Sequence, residues 1–305
     1  MDQHNERVRA KKPAAFAVNT SWWPVVGLFG VAISLGSGHV FARLAFVNGV
    51  NVLTAAAARA VGASLLVLLL LRLRKMPVLP LPREFKWTVV LGLFITSQTV
   101  LVQTAVLLLP VTLAILVFYL FPILIGLASS ALGDERFSAR LAITLVAAFS
   151  GLALVLGVDV RDVSRWGVVA GIGAAVSFAA ALVLTPRLAP GLAAPVRTFY
   201  TLIVGAVILS ATLLVTQSLQ LPQTANGWIG LAGLALCYGV GITGLFLLLT
   251  RLGPTQTGVV LNLEPVFVAM IAWLTLGESL GVMQIVGGAI VVATIIAYQT
   301  TGHRR

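Results

Sequence analysis

The stretch VVLNLEPVFVAMIAWLTLGE, residues 259–278, is apolar enough to sit in lipid, yet Glu264 and Pro265 stand side by side near its middle. A carboxylate at membrane depth is costly, and such groups face a bundle interior or a water-filled cavity. A proline in the same place removes a helix hydrogen bond. Among the nine acidic residues, Glu264 alone lies inside an apolar run; the rest fall in tails, in loops or at the mouths of runs. Two other apolar runs carry a basic group within them: Arg59 in one, and His39 with Arg43 one helical turn later in another.

These residue types define a narrow set of chemistries. Counted at 1.5 Å per residue, Glu264 lies ~14 Å from one membrane surface and Arg59 ~11 Å from the other, close to the middle of a ~30 Å core. An isolated charge does not persist in hydrocarbon, so Glu264 and Arg59 are expected to pair. Such a pair orients two helices; alternatively, Glu264 is a protonation site that couples movement of a solute to a proton gradient. His39 and Arg43 share a helix face and could meet a carboxylate, or His39 packs neutral while Arg43 snorkels to the interface. Gln98, Thr99 and Gln103 form a polar stripe at helical spacing. Tyr119, Tyr200, Tyr238, Asn262 and Ser177 are each a substrate contact or an interhelical hydrogen bond.

The elements that must position these groups are membrane helices. Hydrophobic residues make up 59% of the 305 and charged ones 10%, with a mean hydropathy of +1.04. A soluble domain carries roughly 25% charged residues. Runs long enough to span occupy residues 24–47, 52–71, 87–109, 111–132, 139–158, 166–184, 198–216, 227–249, 255–276 and 282–298. Lipid offers the backbone no partner, so each run must be helical. The fold class is therefore an all-α integral membrane protein of ten transmembrane helices. It is flanked by a cytoplasmic N-terminal tail, 1–23, and a short basic tail, 299–305. The tail is basic and the run after it lacks a small-residue cleavage site, so the first span is expected to direct insertion itself.

With the N-terminus placed in the cytoplasm, the inner segments hold sixteen basic residues and the outer ones three, Arg43, Arg161 and Arg165. The positive-inside rule then puts both termini in the cytoplasm of a cell-membrane protein. The net charge of +11 punctuates apolar runs instead of forming a basic patch, which excludes nucleic acid as a partner. Cys237 is the single cysteine, so neither an intrachain disulfide nor a thiolate cluster can form. No cofactor motif is present.

The two halves resemble each other at a shift of 143 residues: Ser34 meets Ser177, Gly62 meets Gly205, Thr112 meets Thr255, Pro122 meets Pro265 and Glu135 meets Glu278. Each repeat, 24–158 and 166–298, contains five spans, and an odd number forces the second to enter the membrane inverted. Inverted repeats are the architecture of secondary transporters, whose sites lie near the midplane where interrupted helices occur at matching places. Here those are VFYLFPILIG and VLNLEPVFVA, with Pro122 and Pro265 as expected hinges.

At these residues the chain resembles the drug/metabolite transporter superfamily, in its EamA-type branch. The resemblance rests on NLEPVFVAMIAWLTLGESL followed by Gly287 and Gly288, on YLFPILIGLASSALGDERFS, on LGSGHVFARLAF and on AARAVGASLLVLLLL. By resemblance, Arg43 and Arg59 occupy the places of the family's basic residues, Gly36 matches its glycine, and Leu35 stands where the family has tryptophan. It implies a ten-span carrier in which the first four helices of each repeat line a cavity and the fifth and tenth are scaffold. It also implies a small-molecule substrate: amino acids, their analogues, purines or toxic compounds, often moved outward. The expected function is a secondary transporter exporting small amphipathic metabolites by alternating access, in contact with the lipid bilayer and with proton coupling open. The expected substrate pathway comprises Glu264, Arg59, His39, Gln98, Gln103, Tyr119, Asn262 and Tyr238. The competing readings are an intramembrane enzyme, which would need convergent carboxylates or histidines, and a passive channel or facilitator. The GxxxG-like spacings permit close helix packing and do not by themselves specify a dimer.

Overall fold

A computed structural model describes residues 23–76, 78, 82–109, 111–134, 138–157, 163–276 and 281–302. The tail before Trp23 lies outside the described residues, as do Glu135 and Glu278. Among the described residues the chain is all-helical. The helices are α1 (Trp23–Val47), α2 (Val52–Leu73), α3 (Pro82–Leu108), α4 (Val111–Phe118), α5 (Phe121–Ala131) and α6 (Ala139–Leu156). They continue as α7 (Arg165–Leu188), α8 (Ala194–Thr216), α9 (Ala225–Leu261), α10 (Leu263–Leu276) and α11 (Val282–Gly302). Eight helical stretches are long and apolar enough to cross a membrane, with α4 and α5 together supplying one, and Val282–Tyr298 is a shorter apolar helix.

Side-chain caps set several starts. Asn51, Ser138, Ser164 and Thr224 each accept a hydrogen bond from the backbone N–H three residues on. Prolines set the interruptions. Pro122 cannot bond to the carbonyl of Phe118, and α4 ends there, with Tyr119 and Leu120 forming a turn before α5. Pro265 stands in the same relation to Leu261, and the chain breaks at Asn262 between α9 and α10. The two breaks fall at equivalent places, because Tyr119 and Asn262 are 143 residues apart.

The expected run 255–276 is not one helix. The run breaks at Asn262, and its first part is the end of α9, set off from the rest of that helix by a kink at non-helical Gly253 (φ 77°, ψ 166°) ahead of Pro254. That conformation is open almost only to glycine.

Packing follows the repeat. α1 lies on α9 and α10, and α7 lies on α3, α4 and α5. α2 lies on α9, and α8 on α3, while α2 with α8 and α6 with α11 pair across the middle. Exchanging the two halves leaves this scheme unchanged, as a two-fold arrangement requires. The core gathers around Phe121, Phe246, Ile125, Leu182 and Leu261, all under 2% exposed. Outward faces stay apolar: Val215 and Leu214 are 84% and 76% exposed, a pattern suited to lipid and not to water.

Gly253→Ala should lower thermal stability in detergent by about 1–3 kcal/mol through backbone strain. Gly30→Ala, where an added Cβ meets nothing within 4 Å, should leave it unchanged or raise it. Equal midpoints for the two variants would show that the bend does not need glycine.

Candidate functional site

Two polar groups meet where the repeats face each other. In the first, His39 of α1 and Glu264 of α10 share a hydrogen bond of 3.0 Å between Nε2 and Oε1. The Glu264 side chain is 15% exposed and that of His39 52%, so the pair opens on space that protein does not fill. Tyr119, at the turn between α4 and α5, is 4% exposed and a side-chain hydrogen-bonding partner of Glu264. Its ring packs on Phe118 and Phe121 at centroid distances of 5.7 and 5.4 Å.

In the second group, Arg59 of α2 donates from Nη2 to Thr99 Oγ1 of α3 at 3.1 Å. Its guanidinium lies 4.5 Å from the ring centroid of Tyr238 on α9, a cation–π contact. Gln98 is buried beside Thr99, with 3.4 Å between Thr99 Oγ1 and Gln98 Oε1. Arg59, Thr99 and Tyr238 line a cleft with Thr96, Thr201 and Gly205.

The expected Arg59–Glu264 ion pair does not form; the carboxylate belongs to His39. The reason lies in which helices touch. α10 packs against α1, whereas α2 packs against α8 and α9. Gly36, one turn before His39, sets the closeness of α1 and α10: a Cβ there would lie 3.2 Å from Val268 Cγ2 and 3.4 Å from the Glu264 carbonyl oxygen. With no side chain at 36, the next turn of α1 brings the imidazole to the carboxylate.

The other expected residues divide. Asn262, 2% exposed, donates to the carbonyls of Gly258 and Val259 at 3.4 and 3.1 Å, so it satisfies carbonyls beside the break in its own helix. Gln103 and Arg43 lie on α3 and α1, but their side chains are outside the described structure. Thr96 and Thr201 are cleft residues that the sequence pattern does not single out. Thr96 stands one turn before Thr99, so extending the polar stripe backwards would find it. Thr201 stands one turn after Thr198 and Arg197, polar residues at the start of its run that the sequence reading does not connect to it. Among the described residues, no three His, Cys, Asp or Glu side chains converge as a metal site would require.

A bundle of apolar helices with buried opposite charges at the junction of two halves defines a multi-pass membrane protein with an internal repeat. The EamA-like transporter family matches residues 22–157 and again 165–298, and the chain belongs to it. This is a family of membrane transporters, not of enzymes. A solved structure described only as "Crystal structure of protein" is 18% identical and has a TM-score of 0.78, over 92% of this chain and 98% of its own. At that identity it supports the fold. No curated protein matches the sequence.

A double-mutant cycle tests which group partners Glu264. His39→Ala and Glu264→Gln should couple by about 0.5–1 kcal/mol in thermal unfolding, toward the low end because the imidazole is half exposed. The cycle of Arg59→Gln with Glu264→Gln should give a smaller coupling; a larger one would restore the guanidinium as the carboxylate's partner.

Proposed function

We propose that the protein is a secondary transporter of the cell membrane that exports small zwitterionic or amphipathic metabolites, amino acids and their analogues among them, by alternating access. In this reading the chain crosses the bilayer ten times as two inverted five-helix repeats, 24–158 and 166–298, with both termini cytoplasmic. α9 and α10 supply two crossings divided at Gly253, and α11 supplies the last.

The observation that carries the substrate class is a guanidinium and a carboxylate at the junction of the repeats, Arg59 over the ring of Tyr238 and Glu264 hydrogen-bonded to His39. Arg59 offers guanidinium donors beyond the one given to Thr99, and a planar fork suits a carboxylate. Glu264 holds one neutral-or-cationic partner, His39, that a substrate ammonium could displace. A solute with a carboxylate and an ammonium a few bonds apart answers both charges at once, which removes the cost of burying either one alone.

A second reading, that Glu264 carries a coupling proton, is favoured by the identity of its partner. His39 Nε2 can either give or accept the hydrogen it shares with Glu264, whereas a guanidinium can only donate. Glu264→Gln in vesicles with an imposed pH gradient separates this from a purely positioning role. Loss of gradient-driven flux with retained exchange supports the proton role, and unchanged coupling rules it out.

Reconstituted protein should show trans-stimulated exchange of labelled amino acids, which a channel does not. Arg59→Gln should raise KM for carboxylate-bearing solutes about tenfold or more, with a smaller effect on solutes lacking the carboxylate. Exchange confined to non-zwitterionic compounds would defeat the assignment of substrate class, and absence of trans-stimulation would defeat the carrier reading.

A further inference from the structure

Each end of the helix bundle is bridged by loops from opposite repeats, and the two bridges occupy repeat-equivalent positions. At one end the segment between α1 and α2 meets the segment between α8 and α9. Asn48 accepts from Gln223 N at 3.1 Å and from Thr224 Oγ1 at 2.5 Å, Asn51 Nδ2 donates to Ser218 O at 2.5 Å, and Thr54 Oγ1 accepts from Gln220 N at 3.0 Å. Every group in this bridge is neutral. At the other end the segment between α7 and α8 meets the start of α3, where Gly191 N donates to Glu84 Oε1 at 3.0 Å, and Tyr200 donates to the carbonyl of Val78. Adding 143 carries Asn48 onto Gly191 and Thr54 onto Arg197. A guanidinium therefore stands where the other end has a hydroxyl.

Arg197 is 3% exposed. Its Nη1 donates to the carbonyl of Ala189 at 3.1 Å, while Nε and Nη2 find no partner among the described residues. Glu84 Oε2 is buried and likewise unpartnered among them. Both hold the same short segment between α7 and α8, Arg197 at Ala189 and Glu84 at Gly191, yet the two form no ion pair within 4.0 Å. A buried guanidinium is tolerable only near a counter-charge, and removing one member of a buried pair is far costlier than removing both. Water entering an opened mouth would hydrate both groups and cancel that dependence.

We propose that Glu84 and Arg197 form a charged latch for this mouth, whose closed state depends on their mutual compensation while its open state does not. The neutral bridge at the opposite end carries no such term, so the latch sets the balance between the two faces of the carrier. The proposal rests on the alternating-access reading and is tested apart from transport. In a Cys237→Ala background, Thr201→Cys reports on this mouth: it lies one turn beyond Arg197, is 2% exposed and lines the cleft. Ala56→Cys, two residues beyond Thr54 of the neutral bridge, reports on the opposite end.

Glu84→Gln should raise labelling of Thr201→Cys by a membrane-impermeant maleimide on the order of tenfold and lower labelling of Ala56→Cys. The double variant Glu84→Gln with Arg197→Gln should return both rates to within about twofold of the parent. Gly191→Ala, in an exposed loop, keeps both charges but places a Cβ against Glu84 Oε1, and should also raise labelling of Thr201→Cys. Folding is checked by monodisperse elution, and Gly191→Ala decides the question if an Arg197 variant fails that check. Unchanged labelling in Glu84→Gln or Gly191→Ala, or a double variant labelled as fast as Glu84→Gln, would overturn the latch. Absence of solute exchange in the parent would defeat the carrier reading while leaving the labelling result intact.

Discussion

In hydrocarbon a backbone carbonyl without a partner has no water to turn to, so a broken helix is tolerated only where protein or a cavity surrounds the break. Pro122 and Pro265 create two such breaks, at Tyr119 and Asn262, and both residues are buried, 4% and 2% exposed. The breaks must therefore turn inward, and the elements around them come together: a Cβ at Gly258, in the turn before Asn262, would lie 3.6 Å from Pro122 Cα. Asn262 satisfies carbonyls beside its own break with its side-chain amide. Tyr119 turns its hydroxyl instead toward Glu264 of the other repeat. The requirement to hide two interrupted helices thus gathers the polar groups at the junction of the repeats.

The scaffold is two-fold in its packing and unequal in its chemistry. Phe121 stands where Glu264 stands, Leu202 where Arg59 stands, and Thr54 where Arg197 stands. Each exchange puts a charge in one repeat and a neutral side chain in the other. Equal backbones allow the same set of helix contacts to be reached from either side. Unequal side chains place each of these charges in one repeat alone, which is what the proposed solute site and the proposed latch both draw on.

Much of the fold is legible in the sequence because its signals are one-dimensional. Apolar run length gives the helices, and the 143-residue shift gives the correspondence that the structure repeats in its element starts, Ala139 of α6 against Val282 of α11. Depth along a helix is also readable, which is why Glu264 and Arg59 look matched in height. Which helices touch, and at what rotation, is not a property of one run. Gly36 holds that information, since a glycine one turn before His39 permits the approach of α10, but its meaning depends on knowing its neighbour. Arg197 escapes the sequence for a related reason. The positive-inside count treats it as a cytoplasmic charge, whereas α8 begins at Ala194 and takes Arg197 into its buried first turn.

Both polar groups tie one repeat to the other. The ring of Tyr238 lies against Arg59, and Glu264 bonds to His39. Arg59 belongs to the first repeat with Thr99, whereas Tyr238 and Glu264 belong to the second, and His39 reaches Glu264 from the first. The contacts of His39 with Glu264 and of Arg59 with Tyr238 both cross the boundary between repeats. In the carrier proposed above, a solute at these residues would exchange bonds between the halves for bonds to itself. That is the physical condition under which binding can loosen one arrangement of the halves and favour another.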